Sequence, residues 1–149
     1  MSKPWRAIVV DDNPRFLRSG VRLLGSIDHV VVVGEASSGE GAVRAVATLR
    51  PDLVLMDLTM PGVDGIAATR RIASEKDPPL IIINTFLYML EYRDDAVAAG
   101  ACGFLNKARL AETLPALIRS LRLEFVRHAD RESTREPAHG SPEAGPPDS

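Results

Sequence analysis

Five short apolar runs alternate along this chain with five segments of helical periodicity, and this alternation constrains the fold more than any other feature. Strand patterns lie at residues 8–10, 30–33, 53–57, 80–83 and 103–105. A helical pattern follows each of them, at residues 13–26, 38–50, 64–75, 86–100 and from about 113 to 127. Strand–helix repeats joined by right-handed crossovers form a parallel sheet that helices cover on both faces. The sequence therefore predicts a doubly wound, three-layer α/β domain.

Local residue chemistry predicts where some of the helices begin. The first helix carries an apolar stripe that includes Phe16 and Leu24. Ser38 or the residue after it is expected to begin the second helix. Pro115 must lie in the first turn of the last helix, because a later proline would break it, so the helix cap is expected near Thr113.

The last part of the chain differs in composition from the rest. After Arg127 the residues are mainly His, Asp, Glu, Ser, Pro and Gly, with no apolar spacing. Such segments bury too little apolar surface to offset the entropy of ordering. We therefore expect a single domain at residues 5–127 and a disordered tail, rich in Pro, Gly and Ser, at residues 128–149.

Composition excludes several classes of function. The chain has 149 residues and a formal net charge of −2, which gives no electrostatic basis for direct binding of nucleic acid. Its one cysteine, Cys102, cannot form an internal disulfide or a cysteine-cluster metal site. No apolar run approaches 18 residues and no secretory segment begins the chain, so we expect a cytoplasmic protein without membrane contact.

Polar and charged residues follow the predicted strands. Asp11 and Asp12 follow the first strand, Asp57 ends the third, Thr85 follows the fourth and Lys107 lies just beyond the fifth. In a parallel sheet these positions meet at one edge. Carboxylates held close together repel one another and are hard ligands that Mg²⁺ accepts, while a lysine and a threonine can hold a phosphoryl group. The pattern predicts a phosphoryl-transfer site in which an aspartate is the candidate nucleophile.

Four segments occur together in a fixed order, namely residues 8–12, residues 57–65, Thr85 and residues 100–107. Over residues 5–125 the chain thereby resembles the receiver domain of bacterial two-component response regulators. The resemblance implies a flavodoxin-like five-stranded sheet in the order 2-1-3-4-5. It also implies that a sensor histidine kinase or a phosphotransfer protein phosphorylates Asp57. The chain would catalyse only its own Mg²⁺-dependent phosphorylation and dephosphorylation, and would then switch a protein-interaction surface.

The resemblance implies a metal site built from acids and one carbonyl group. Asp12, Asp57 and the carbonyl oxygen of Thr59 would ligate Mg²⁺, and Asp11 would act through a water molecule. The cofactor implied is therefore Mg²⁺ alone.

The resemblance also implies which residues respond to phosphorylation. Lys107 and Thr85 would hold the phosphoryl oxygens and act with the aspartate in catalysis, while Thr85 and Phe104 would form the pair that changes position. Two residues depart from the family pattern. Phe86 stands where a small residue usually follows the switch threonine, and Ala108 stands where proline commonly follows the lysine.

Residues 86–90, which read Phe-Leu-Tyr-Met-Leu, are strongly apolar. Contiguous apolar patches usually mark an interface. In the resembling family the fourth helix, fifth strand and fifth helix form the face that dimerises or meets targets, so we expect a downstream protein or a homodimer contact there. Phe86 is also expected to screen Asp57 from water and to prolong the life of the acyl phosphate. The alternative is that these side chains turn inward as core.

Two other functions remain open from the sequence. An aspartyl-phosphate phosphatase of the haloacid-dehalogenase type also phosphorylates an aspartate at a strand end, but it requires a second aspartate two residues later, where this chain has Thr59. A receiver-like binding module that works without phosphorylation is the other alternative. The five intact site residues argue against it, whereas Phe86 and the apolar residues that follow it keep it open.

Overall fold

The strands and helices alternate as the sequence pattern predicts. The computed structural model describes residues 3–86 and 90–140. The strands are β1 (Trp5–Val10), β2 (Val30–Ala36), β3 (Leu53–Asp57), β4 (Leu80–Thr85) and β5 (Gly103–Asn106). The helices are α1 (Pro14–Gly25), α2 (Gly39–Leu49), α3 (Gly65–Ala73), α4 (Leu90–Ala99) and α5 (Leu110–Gly140), with a 3-10 turn at Lys107–Arg109 before α5.

The five strands form one parallel sheet in the order β2-β1-β3-β4-β5, which confirms the predicted doubly wound fold. The register aligns the carboxyl ends of the central strands, with Val10 opposite Met56 and Asp57 opposite Asn84. Every residue of β3 is buried, as expected for a strand covered on both faces. The alignment brings the polar residues that follow these strands to one edge of the sheet.

Alternate residues of each central strand face opposite sides of the sheet. One side packs against α2, α3 and α4 in a core cluster that includes Val54, Ile83 and Ile72. Val9 and Leu55 lie on the other side, where α1 approaches so closely that a Cβ placed on Gly20 would lie 2.9 Å from Cγ1 of Val9. The apolar strands therefore supply side chains to two separate core layers.

Side chains cap the helices whose first turns lie near the sheet. Ser38 Oγ accepts a hydrogen bond from the Gly41 N–H at 2.9 Å and caps α2, which begins at Gly39, within the predicted start. Asp64 Oδ1 accepts from the Ala67 N–H at 2.8 Å and caps α3. Each cap satisfies a backbone donor that the first turn leaves without a helical partner.

The predicted cap of the last helix at Thr113 is wrong. Asn106 Oδ1 instead accepts from the Ala108 N–H at 3.1 Å and begins the 3-10 turn that leads into α5. The Thr113 hydroxyl donates to the carbonyl oxygen of Arg109 at 2.9 Å, inside the helix. Pro115 therefore lies beyond the first turn of α5. The helix accommodates it at the loss of one backbone hydrogen bond, since proline has no N–H to donate.

The last helix also ends later than predicted. The chain divides into two compact units, residues 1–115 and residues 116–149, and in the second unit α5 continues past the expected end near Arg127 to Gly140. Residues 119–136 include five Arg and three Glu. These residue types favour a helix even where apolar residues form no continuous stripe. The rest of the predicted tail, residues 141–149, lies outside the described residues, and the domain boundary at 127 stays a prediction. None of the helices in the described part of the chain is both long and apolar enough to cross a membrane.

Candidate functional site

A cleft of about 320 Å³ opens at the carboxyl edge of the sheet, where the strand ends meet. Its lining consists of Asp11, Asp12, Asn13, Phe16, Asp57, Thr59, Thr85, Phe86 and Lys107. Six of the seven residues that the sequence analysis assigned to the site are among them. The seventh, Phe104, lies on β5 opposite Ile83 and packs, partly buried, against the core cluster.

Lys107 joins the acids of β1 and β3. Its Nζ lies 2.6 Å from Oδ2 of Asp11 and 3.1 Å from Oδ1 of Asp57. The three side chains are almost fully buried, with exposures of 9%, 5% and 6%. Breaking such a buried pair would leave an uncompensated charge. The ammonium group of Lys107 therefore holds the carboxylates of Asp11 and Asp57 together.

Three carboxylates in the cleft are close enough to share one metal ion. One oxygen from each of Asp11, Asp12 and Asp57 lies within 4.8 Å of the others. Asp11 and Asp57 are buried and Asp12 is exposed. The Asn13 N–H donates to Oδ1 of Asp11 at 2.9 Å and fixes the orientation of that carboxylate. A set of oxygen donors with one side open to solvent fits Mg²⁺, which keeps several of its waters when bound.

The ionisation of Asp57 is unfavourable in this setting. Burial raises the pKa of Asp57 from 3.8 to about 6. The charge of Lys107 works in the opposite direction and lowers the pKa, while the neighbouring charges of Asp11 and Asp12 raise it. Burial outweighs the lysine because the carboxylate exchanges water for an apolar surrounding and for like charges. A divalent cation in the cleft would reverse this balance.

Two aromatic rings cover the lysine. The rings of Phe16 and Phe86 are tilted by 59° with their centroids 5.0 Å apart. Lys107 Nζ lies 4.6 Å from the Phe16 centroid and 5.5 Å from the Phe86 centroid, within the range of cation–π attraction. Phe86 stands out in the sequence as a departure from the family pattern, whereas Phe16 is predicted only as part of the apolar stripe of α1. Its position four residues after Asp12, in the first turn of α1, was the signal that could have placed it at the site.

Gly65 allows α3 to approach the end of β3. A Cβ on Gly65 would meet the Asp57 carbonyl oxygen and would lie 2.9 Å from Cα of Leu58. These are backbone atoms that cannot rotate away, so we expect Gly65→Ala to destabilise the fold by roughly 1–3 kcal/mol in a urea unfolding experiment. Gly25→Ala is the matched control, because its Cβ would meet nothing within 4 Å. Equal stability of the two variants would contradict this account of Gly65.

The strand order 2-1-3-4-5 places the chain among flavodoxin-like α/β proteins. Comparison of the sequence with protein families identifies one family within this fold. Residues 7–119 match the response regulator receiver domain. The chain therefore belongs to the response regulator receiver family, which confirms the resemblance seen in its sequence.

Individual proteins agree with this assignment. The chain is 37% identical over 123 residues to the response regulator GacA of Pseudomonas viridiflava, a match that covers 81% of this chain and 55% of GacA. It is 39% identical over 115 residues to the response regulator UvrY of Escherichia coli (strain K12), covering 76% of this chain and 52% of UvrY. The chain thus spans about half the length of these curated relatives. A solved LuxR-family two-component response regulator from Aurantimonas sp. SI85-9A1 superposes with a TM-score of 0.75 at 33% identity, covering 80% and 85% of the two chains.

Proposed function

We propose that this receiver accepts a phosphoryl group on Asp57 from a sensor histidine kinase or a phosphotransfer protein. The observation that carries the proposal is the buried Asp57 carboxylate in an open cleft, with Nζ of Lys107 at 3.1 Å and two further carboxylates beside it. Family membership supports the same chemistry. The regulatory activity of the longer relatives is not assumed for this chain.

The proposed transfer exchanges one bond at phosphorus. A carboxylate oxygen of Asp57 attacks the phosphorus atom, the bond from phosphorus to the donor nitrogen breaks, and the donor imidazole leaves with that electron pair. Lys107 and Thr85 then hold the phosphoryl oxygens. Attack by water on the acyl phosphate releases inorganic phosphate and restores the carboxylate, so the chain ends the signal itself.

Mg²⁺ would neutralise negative charge on the transferring phosphoryl group. Asp11, Asp12, Asp57 and the carbonyl group of Thr59 are the residues proposed to hold it, Asp11 through a water molecule. Carboxylate oxygens are the hard donors that Mg²⁺ requires. One oxygen from each of the three carboxylates lies within 4.8 Å of the others, close enough to share one ion.

Phosphorylation should depend strictly on Mg²⁺. Incubation with acetyl phosphate and Mg²⁺ should add the mass of one phosphoryl group to the intact chain, whereas EDTA should prevent the addition, because the acids would repel an uncompensated phosphoryl group. Asp12→Asn should raise the Mg²⁺ concentration for half-maximal labelling by about tenfold or more. Labelling that proceeds equally in EDTA would contradict the proposed metal site.

The same experiment tests the alternative of a binding module that works without phosphorylation. The two rings that cover Lys107 are the observation that favours this alternative, since they narrow the approach to the cleft. No labelling at saturating Mg²⁺ and acetyl phosphate would favour it over the phosphoacceptor.

The output is proposed to leave through the face that includes α4 and β5, to a downstream protein or a second copy of the chain. Thr85 and Phe104 are proposed to transmit the change, Thr85 from the cleft and Phe104 from the core. Leu87, Tyr88 and Met89, on which the sequence prediction depended, lie outside the described residues. Val97 on α4 supports the proposal, since 58% of it is exposed.

Self-association provides the measurement for this surface. We expect the phosphorylated chain to form dimers at lower concentration than the unphosphorylated chain in sedimentation equilibrium, and Val97→Asp to weaken that association. Val31→Asp, on the exposed edge strand β2, is the control, because Val31 is 42% exposed on a different part of the sheet. If Val31→Asp weakens association more than Val97→Asp does, the surface lies elsewhere.

A further inference from the structure

A second cavity of about 300 Å³ lies beside the phosphorylation cleft, on the side of the sheet that α1 covers. Apolar side chains form most of its wall, among them Val9, Leu23, Leu55 and Leu110. Its volume is at the lower end of the range found for ligand pockets, and a mostly apolar wall with a few polar groups is typical of such pockets. Asp57, Thr59 and Thr85 line the cleft but not this cavity, so the cavity adjoins the cleft without including the proposed phosphoacceptor.

One buried polar side chain, that of Asn84, lines this mostly apolar cavity. Asn84 follows four apolar residues in β4 and, by strand alternation, shares a face with Ile82 and not with the core residues Ile81 and Ile83. It is 3% exposed and lines the cavity. An amide at a fixed position in a mostly apolar cavity gives a ligand one oriented hydrogen-bonding group, as is typical of ligand pockets.

The wall that the cavity shares with the cleft favours an uncharged ligand. Phe16, Phe86, Asp11 and Lys107 border both this cavity and the phosphorylation cleft. Lys107 is already paired with the carboxylates of Asp11 and Asp57, so an anion would gain little from it and would be repelled by those acids. A cation would lie beside Lys107 in an apolar space. The two aromatic rings in this shared wall offer surfaces for another ring to pack against.

We propose that this cavity binds a small, uncharged aromatic molecule with one N–H or O–H group, held by a hydrogen bond to Asn84. The ring of the ligand packs against the apolar wall formed by Val9, Leu23 and Leu55. The hydrogen bond to the amide then selects molecules with a donor over purely apolar molecules of the same shape.

Indole and indene form a matched pair of probes, since they have nearly the same shape and only indole has an N–H. In NMR titrations of the full ¹⁵N-labelled chain, indole should shift the Asn84 side-chain signal and the backbone signals of Gly20 and Leu55 in a saturable way, with a Kd of about 1 mM. Indene should bind at least about fivefold more weakly. In Asn84→Leu, which keeps a similar volume, the two probes should bind with equal affinity.

A second variant keeps the proposal testable if Asn84→Leu does not fold. Ser19 is exposed at the edge of the cavity, so Ser19→Phe is expected to fold and to weaken binding of indole by obstructing the cavity. Three results would overturn the proposal: no saturable shift at Gly20 and Leu55, equal affinity of the wild-type chain for both probes, or shifts confined to Asp12 and Thr59 in the other cleft. The titration contains neither Mg²⁺ nor phosphodonor, so its failure would leave the proposed phosphorylation of Asp57 unaffected.

Discussion

Asp57→Asn will abolish phosphorylation of the chain by acetyl phosphate and Mg²⁺. The amide has the size of the carboxylate but lacks the negative oxygen that attacks phosphorus, so the site keeps its shape and loses its nucleophile. The cleft offers two other acids, Asp11 and Asp12, yet both are proposed to serve the metal and not the phosphorus atom. Intact mass spectrometry of the wild-type chain and the variant, after the same incubation, measures the effect as loss of the phosphorylated species.

A second Asp→Asn substitution controls for the change of charge. Asp77 is exposed, and its φ of 52° is one that asparagine adopts readily. Asp77→Asn should therefore fold and become phosphorylated as the wild-type chain does. Phosphorylation of Asp57→Asn at the wild-type level would show that another residue is the acceptor.

The same Asp57→Asn substitution will stabilise the chain in the absence of metal at about pH 7.5. The pKa of Asp57 is raised from 3.8 to about 6 in the folded state, chiefly by burial, so the folded protein disfavours the ionised form. Ionisation therefore removes stability as the pH rises from 3.8 through about 6. At pH values above this window the full penalty, at most about 3 kcal/mol, applies to the wild-type chain and not to the asparagine variant.

Urea unfolding in EDTA at two pH values measures this difference. The variant should exceed the wild-type chain in free energy of unfolding by about 1–3 kcal/mol at about pH 7.5, and the two should agree closely at about pH 4. Saturating Mg²⁺ should stabilise the wild-type chain more than the variant, because binding to the folded state adds to its stability. A variant that is less stable at about pH 7.5 without metal would show that the pairing of Asp57 with Lys107 outweighs its burial.

The periodicity of the sequence was sufficient to predict the sheet and the meeting of the polar residues at its edge. Asp11, Asp57 and Lys107 each follow an apolar run, and parallel strands must bring such positions together. The start of α2 at Ser38 or the next residue was equally predictable, because the cap that fixes it joins residues only three positions apart.

Sequence periodicity could not predict contacts between elements that are distant along the chain. The contact of Phe16 with Phe86 joins α1 to the end of β4, and the periodicity of α1 says only that Phe16 belongs to its apolar stripe. α5 begins earlier than predicted, because Asn106 caps the 3-10 turn that leads into the helix and Pro115 then lies after its first turn. α5 ends later than predicted, because Arg and Glu favour a helix even after the apolar spacing ends.

The direction of β1 decides what fluorescence can report about this protein. Trp5, the single tryptophan of the chain, begins β1, and Asp11 follows the other end of the same strand. A strand of six residues is about 20 Å long, so the backbone of Trp5 lies about a strand's length from the proposed phosphorylation site. Its emission is therefore a poor indicator of events in the cleft but a useful measure of global unfolding. Phe86→Trp would add an optical reporter beside Lys107, and the two signals together would distinguish local occupation of the cleft from loss of the fold.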